Sequence, residues 1–284
     1  MKPVVVAPFH RPLLQRLRGR SVALETDVAH SAEAVLAAAD FGLNLVCLRV
    51  RLDDELAALD ASGLPPRAPL AVVAPAAGPM RRLGRKVSDL LKLNARFYLP
   101  GRTREQAADL RMLASLGLNV AADLVAPGPA EWDELRELAV YAFYNSTPHA
   151  DLDPFSFLGR RYHLDRLPLD PRSVMFRAPG KFFFADENGG LASPTWDGGT
   201  DPCPFTLADL DSEAASSFLD EARVGWRRMF VEPHPCTSCE GFRVCLGLFA
   251  AEQGPGCRAL MAEALAGAEW AAGQRAAKVE PWQP

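Results

Sequence analysis

The sequence predicts an α/β fold, a parallel sheet with crossover helices that fits a barrel or partial barrel, followed by a smaller cysteine-rich region. Three observations predict it. Between residues 21 and 145 short apolar runs alternate with helical patterns. The alternation stops after Asn145, where the chain becomes rich in Pro, Asp and Arg. Five of the six cysteines then fall in the last third of the sequence. Repeated strand–helix units argue for a parallel sheet. A doubly wound sheet competes with the barrel, because periodicity does not separate the two.

The elements follow in order. Apolar runs at Ser21–Glu25, Asn44–Val50, Leu70–Ala74, Arg96–Leu99 and Asn119–Val125 read as strands. Ser31–Phe41 reads as a helix stopped by Gly42. Thr103–Leu116 opens with a capping box, Thr103 with Gln106 three residues on, and stops at Gly117. Its Ala107, Leu110, Leu113 and Ala114 share one face. Trp132–Tyr144 repeats that pattern with Leu135, Leu138, Ala139 and Ala142. Residues 1–150 are therefore expected to form one domain and residues 151–175 a linker. In KFFFADENGGLASP, two short runs flank a turn at Asn188-Gly189-Gly190, the pattern of a β-hairpin. Only alternate residues of a half-buried hairpin face a core. Either Phe183 or the pair Phe182 and Phe184 is then expected to point outward. Residues 176–284, with this hairpin, the cysteines and an alanine-rich helix from about Ala259, form the expected second domain.

Composition bounds the function. The chain has 284 residues, 49% apolar and 23% charged, enough to bury a large core. A net charge of −4 and no basic stripe argue against nucleic acid as a partner. Arg81, Arg82, Arg85 and Lys86 read as the solvated face of a helix. No apolar run approaches the roughly 20 residues of a membrane span. The opening MKPVVVAPFH is too short and proline-broken for a signal peptide, so the expected location is the cytoplasm. Thiols stay reduced there, and clustered cysteines favour metal or catalysis over disulfides.

The cysteines read Cys236-x2-Cys239-x5-Cys245-x11-Cys257. Thiolates are soft ligands that select zinc, Cu(I) or iron–sulfur clusters. Four of them satisfy a structural zinc or a cubane cluster. Zinc sites commonly pair two CxxC knuckles, and here there is one. The spacing favours the cluster, with zinc as the alternative.

This set resembles the ligands of one auxiliary cluster in SPASM domains, the C-terminal extensions of many radical S-adenosylmethionine (SAM) enzymes that modify peptides. Gly198-x4-Cys203 resembles the element that precedes the cysteine run in those domains. The resemblance covers about residues 180–260 and extends loosely over the upstream repeats. It implies a partial (β/α) barrel of radical-SAM type, then a small SPASM-like iron–sulfur domain. It also implies one [4Fe–4S] cluster on Cys236, Cys239, Cys245 and Cys257.

The chain departs from the family in several places. A further Cys of a full SPASM domain is replaced by Phe249, and none precedes Gly198 in that domain. Cys203 would be the remnant of a second, empty cluster site. After Ser21–Glu25 the radical SAM CxxxCxxC motif is replaced by TDVAHSAEAV. The Gly-Gly-Glu stretch that binds SAM is replaced by Arg51-Leu52-Asp53-Asp54-Glu55. Cys47 is the only cysteine before Cys203, so ligand count excludes radical SAM chemistry by this chain alone.

Other residues carry weaker signals. His234 stands near Cys236 and reads as a hydrogen-bonded loop histidine. His30 reads as a helix-start residue. Asp53, Asp54 and Glu55 suit a helix N-terminus, where carboxylates complement the dipole. Cys47 reads as a small core residue, and Asp186 and Glu187 flank a turn. No GxxxxGKS, GxSxG or HExxH motif is present. The expectation is a non-catalytic, iron–sulfur-binding partner of a radical SAM enzyme or its precursor peptide in ribosomal-peptide maturation, with a hetero-oligomer as its working form. It would bind no SAM and no membrane. A barrel repurposed as an enzyme through Asp27, His30 or Asp53–Glu55, or a zinc-stabilised binding module, are the alternatives.

Overall fold

The apolar runs between residues 21 and 123 all become strands, because each is long enough to pair and too apolar to stay in water. The computed structural model describes residues 3–101, 103–123, 129–163, 182–194, 200–213, 215–218, 235–245 and 254–279. Gly198, His234 and Phe249 lie outside them. The strands are β1 (Val4–Pro8), β2 (Ser21–Thr26), β3 (Asn44–Arg51), β4 (Leu70–Val73), β5 (Ala95–Pro100), β6 (Val120–Asp123) and β7 (Leu152–Asp153). β8 (Phe182–Ala185), β9 (Gly190–Pro194) and β10 (Thr200–Thr206) follow. They form one sheet in the order β10-β9-β8-β1-β2-β3-β4-β5-β6-β7. Neighbours from β8 through β1 to β7 run parallel, and β8-β9-β10 are antiparallel. The fold is α/β with a mostly parallel central sheet.

Parallel strands are covered on both faces and read as unbroken apolar runs. Val5, Val6 and Ala7 of β1, and Val22, Ala23 and Leu24 of β2, are all buried. The crossover helices are α1 (Arg11–Arg16), α2 (Ser31–Asp40), α3 (Met80–Leu90), α4 (Arg104–Ser115), α5 (Pro129–Tyr144) and α6 (Phe155–His163). The expected capping box forms: Gln106 N–H donates to Thr103 Oγ1 at 3.3 Å, and Thr103 N–H to Gln106 Oε1 at 3.1 Å. Ala107, Leu110, Leu113 and Ala114 face the core as their spacing predicts. Gly42 and Gly117 stop α2 and α4 with φ of 64° and 89°, a left-handed conformation that side chains resist.

Three expectations need correction. First, residues 151–163 are not a bare linker. They form β7 and α6, elements of two and nine residues, too short for periodicity to register. A largely buried ion network ties this edge down. Arg96 of β5 reaches Asp153 at 2.9 Å and Asp151 at 3.4 Å, and Arg160 of α6 reaches Asp151 at 2.6 Å. Second, Asp53, Asp54 and Glu55 open no α-helix. Glu55 precedes a single 3-10 turn, Leu56–Ala58. The following sequence, with Gly63, Pro65 and Pro66, does not let a helix propagate. Third, the hairpin β8-β9 extends the same sheet, because β8 pairs in parallel with β1, Val5 opposite Phe183. The sheet is thus continuous across the boundary expected at residues 151–175. Phe182 and Phe183 are both buried and Phe184 is half-buried. β8 is an interior strand, so no Phe of the three stands out into solvent.

Candidate metal centre

The four cysteines come from three short pieces of backbone. Cys236 lies in the 3-10 turn Pro235–Ser238, and Cys239 follows it. Cys239 N–H donates to the Cys236 carbonyl at 3.1 Å. That turn is what the x2 spacing allows, and it holds both residues in one knuckle. Cys245 ends the short helix Phe242–Cys245. Its N–H and that of Val244 both donate to the Gly241 carbonyl, at 2.9 and 3.1 Å. Cys257 sits in the first turn of the C-terminal helix, Pro255–Val279, behind Pro255 at the first helical position.

Two glycines press these pieces onto the rest of the fold. A Cβ on Gly241 would lie 2.8 Å from Met261 of the C-terminal helix. On Gly256, beside Cys257, a Cβ would clash with Trp132 of α5. Farther along, Gly267 of the C-terminal helix and Gly159 of α6 both close on the ring of Phe143. Gly256, beside Cys257, thus packs on α5, and Gly241, whose carbonyl accepts from Cys245 N–H, packs on the C-terminal helix.

Burial falls unevenly on the four. Cys245 is buried, while Cys236, Cys239 and Cys257 are partly so. Burial pushes the Cys257 thiol up to about 12, and the like charges of Cys245, Cys236 and Cys239 push the same way, against Arg258. Burial and then Cys239 also raise Cys236, again against Arg258. Each pair of sulfurs would repel as thiolates. Four thiolates gathered without a cation would repel one another, and a cationic centre would offset that repulsion. No disulfide joins any of the six cysteines. Soft, partly desolvated sulfur donors fit an iron–sulfur cluster or zinc by chemistry. Among the described residues no three His, Cys, Asp or Glu side chains are drawn together as a metal site requires. The sulfurs share a neighbourhood and an electrostatic field, not yet a coordination polyhedron.

The remaining candidates lie elsewhere. Cys203 stands in β10, where the register with β9 shifts between Pro202 and Thr206. It lines a cavity of about 630 Å³ with Phe184, Leu191 and Phe205. Burial and then Asp201 push its thiol up to about 11, which disfavours the nucleophilic thiolate. Cys47 is fully buried in β3, as a core residue should be. Asp27 and His30 pair at 2.8 Å, and Asp27 Oδ1 also accepts from His30 N–H at 2.9 Å. That arrangement opens α2. Asp53 and Asp54 are exposed, and Glu55 faces Arg82 of α3 at 3.7 Å. These acidic residues and the Asp27–His30 pair belong to different loops, and no hydrogen bond or ion pair joins them among the described residues.

Gly241, Gly256, Trp132 and Met261 are the positioning residues that spacing alone did not single out. A glycine just before a candidate cysteine, as in Pro255-Gly256-Cys257, is the available signal. Compared with known proteins, the chain matches no family model, no curated protein and no solved structure.

Proposed function

We propose that this chain binds one [4Fe–4S] cluster through Cys236, Cys239, Cys245 and Cys257. It works as a partner of a radical SAM enzyme in the maturation of a ribosomally made peptide, and does not cleave SAM itself. The observation that carries the reading is the spacing Cys236-x2-Cys239-x5-Cys245-x11-Cys257, with Cys236 and Cys239 held in one turn by the hydrogen bond from Cys239 N–H to the Cys236 carbonyl at 3.1 Å. When bound, the cluster supplies either a structural cross-link or a one-electron relay. The protein's own part is to hold the sulfurs. The 236–239 knuckle presents two, the Gly241 turn sets the third, and the first turn of the C-terminal helix sets the fourth.

The strand order supports the barrel form of the fold. β1 to β7 add in one direction only, and β8 returns beside β1. Right-handed crossovers that never reverse direction place their helices on one face. The other face is then buried by curling, as in a (β/α) barrel left open between the edge strands β7 and β10. In a doubly wound sheet the direction reverses at a switch point. The loops beyond β3 and β4 support the loss of SAM binding. Leu52, Leu56, Leu59, Leu64 and Ala77 are buried there, and Leu56 and Ala57 N–H donate to the carbonyls of Ala76 and Ala77. Apolar packing takes the place where the family's SAM-binding stretch would stand. Among the described residues no helix is long and apolar enough to cross a membrane, which suits the reduced cytoplasm that the thiols require. No residue is assigned a catalytic role.

The test is anaerobic purification followed by iron, sulfide and zinc analysis, with and without Cys→Ala changes. Each of Cys236→Ala, Cys239→Ala, Cys245→Ala and Cys257→Ala is expected to lose most of the iron, and Cys203→Ala to keep it. The protein alone is expected to release no 5′-deoxyadenosine from SAM. It is expected to co-purify with a radical SAM enzyme or its precursor peptide.

A further inference from the structure

Helix α2 turns an apolar face outward as well as inward. Its residues Ser31–Asp40 include three polar side chains, Ser31, Glu33 and Asp40. Ser31, Ala34, Ala37 and Ala38 are buried, on the side toward β2 and β3. On the outward side Ala32, Val35, Leu36 and Ala39 follow the spacing i, i+3, i+4, i+7, the pattern of a helix face that meets another layer. Ala32, Leu36 and Ala39 are exposed and Val35 is half-buried. Leu36 is 65% exposed, more than any other large apolar side chain among the described residues. The neighbouring helix α1 instead exposes Arg11, Pro12, Gln15 and Arg16. A helix that is apolar all round is ordinarily a buried one, and α2 stands at the surface.

The charges at the two ends of α2 suit one occupant. Glu33 and Asp40 are two turns apart and share one flank of the outward seam. Glu33 pairs with Arg11 of α1 at 3.0 Å. Asp40 is exposed at the C-terminal end, and the last turn holds no basic residue. The helix dipole disfavours a carboxylate there. Two copies of α2 laid antiparallel about a two-fold axis near Val35 and Leu36 keep that flank on the same side. Asp40 of one copy then comes to the N-terminal end of the other copy's α2, where the dipole attracts it. It also comes beside the exposed Arg11. A parallel pair would instead set Asp40 against Asp40.

We propose that the outward face of α2 is the centre of an isologous interface with a second copy of this chain, the two helices antiparallel. Ala32 of each copy lies opposite Ala39 of the other, which lets the axes approach to about 8 Å. Leu36 of each copy packs against Val35 and Leu36 of the other. Arg11 is shared between Glu33 of its own copy and Asp40 of the second. One helix pair covers less than the about 800 Å² per partner of a standard interface, so the dimer dissociates on dilution. Lipid suits the face less, because an interfacial helix carries Lys and Arg beside its apolar face, whereas α2 carries two carboxylates and no basic residue. The interface uses none of the cysteines.

The test is sedimentation velocity on the full-length protein between about 5 and about 500 μM, the range in which a weak dimer forms. The mass is expected to rise from monomer to dimer and to go no further. Leu36→Glu is expected to weaken association about ten-fold or more while leaving the melting temperature in place, since the side chain is exposed in the single chain. Arg11→Asp is expected to weaken it about three-fold or more. Arg11→Asp combined with Asp40→Arg exchanges the two charges and is expected to restore it. The proposal is overturned by a protein that stays monomeric at the highest concentration, which leaves the face to a different polypeptide. It is also overturned by a dimer that Leu36→Glu does not weaken, or by a charge exchange that fails to restore association. Leu36-dependent pelleting of the monomer with phosphatidylcholine vesicles would assign the face to lipid and overturn it too.

Discussion

The strand–helix region and the cysteine region are held together by different means. In residues 4–163 most contacts are repeated ones. Strand after strand buries apolar side chains on both faces, each helix covers the next crossover, and caps such as Thr103–Gln106 close the ends. The loss of one contact there leaves many others. Among the described residues 235–245 the backbone is one 3-10 turn and a four-residue helix, and Val244 and Cys245 are buried there. It is attached through Gly241 on Met261 and Gly256 on Trp132. A segment with so small a core needs another source of order, and in small cysteine-rich segments a metal or cluster provides it. The difference teaches that the first region folds by its own core, while the second leans on the helices around it, and the proposed cluster would supply the order that its few buried side chains do not.

That contrast can be broken from either side. Arg96→Ala strikes the first region where it is most exposed to failure. It takes the guanidinium at 2.9 Å from Asp153, which is 1% exposed and keeps Arg160 at 3.7 Å, while Asp151 keeps Arg160 at 2.6 Å. Breaking a buried pair this way costs about 3–5 kcal/mol, to be read from urea unfolding, while iron per folded chain should not change. Phe143→Ala strikes the joint between the regions, because its ring sits against both Gly159 and Gly267. Its stability loss should be about 3 kcal/mol, and limited proteolysis should then cut within residues 235–257 before it cuts the strands.

Two smaller changes sharpen the comparison. Gly256→Ala drives a methyl group into Trp132. Overpacking of this kind costs about 1–3 kcal/mol, and it should lower iron content well beyond what the drop in stability explains, since Cys257 is the next residue. Thr103→Ala removes half of a capping box remote from the cysteines. It should cost about 1 kcal/mol and leave iron content and the visible spectrum as they were. A loss of iron in Thr103→Ala equal to that in Gly256→Ala would mean that the two regions are one cooperative unit.

The same division governs what the sequence made legible. Strands β2 to β6 and helices α2, α4 and α5 could be read because their burial repeats with a fixed period. β1 is a further strand, Val4–Pro8, whose Val4-Val5-Val6 lies before the first of the repeating units. β7 and α6 were missed because two and nine residues are too few to show a period. The three phenylalanines were misjudged for a different reason. Their burial depends on β8 lying beside β1, more than 170 residues earlier in the chain, and local sequence carries no trace of such a pairing. At the candidate centre the four cysteines stand out by spacing, whereas Trp132 and Met261, on which Gly256 and Gly241 pack, depend on tertiary packing.

The central claim, that four cysteines hold one cluster, is tested most directly by the metal and sulfide content of the anaerobically purified wild-type protein. The account predicts about four iron and four sulfide per chain, with a broad visible absorption band that bleaches on chelation. One zinc per chain without sulfide, or no metal at all with the segment 235–257 equally resistant to protease, would contradict it.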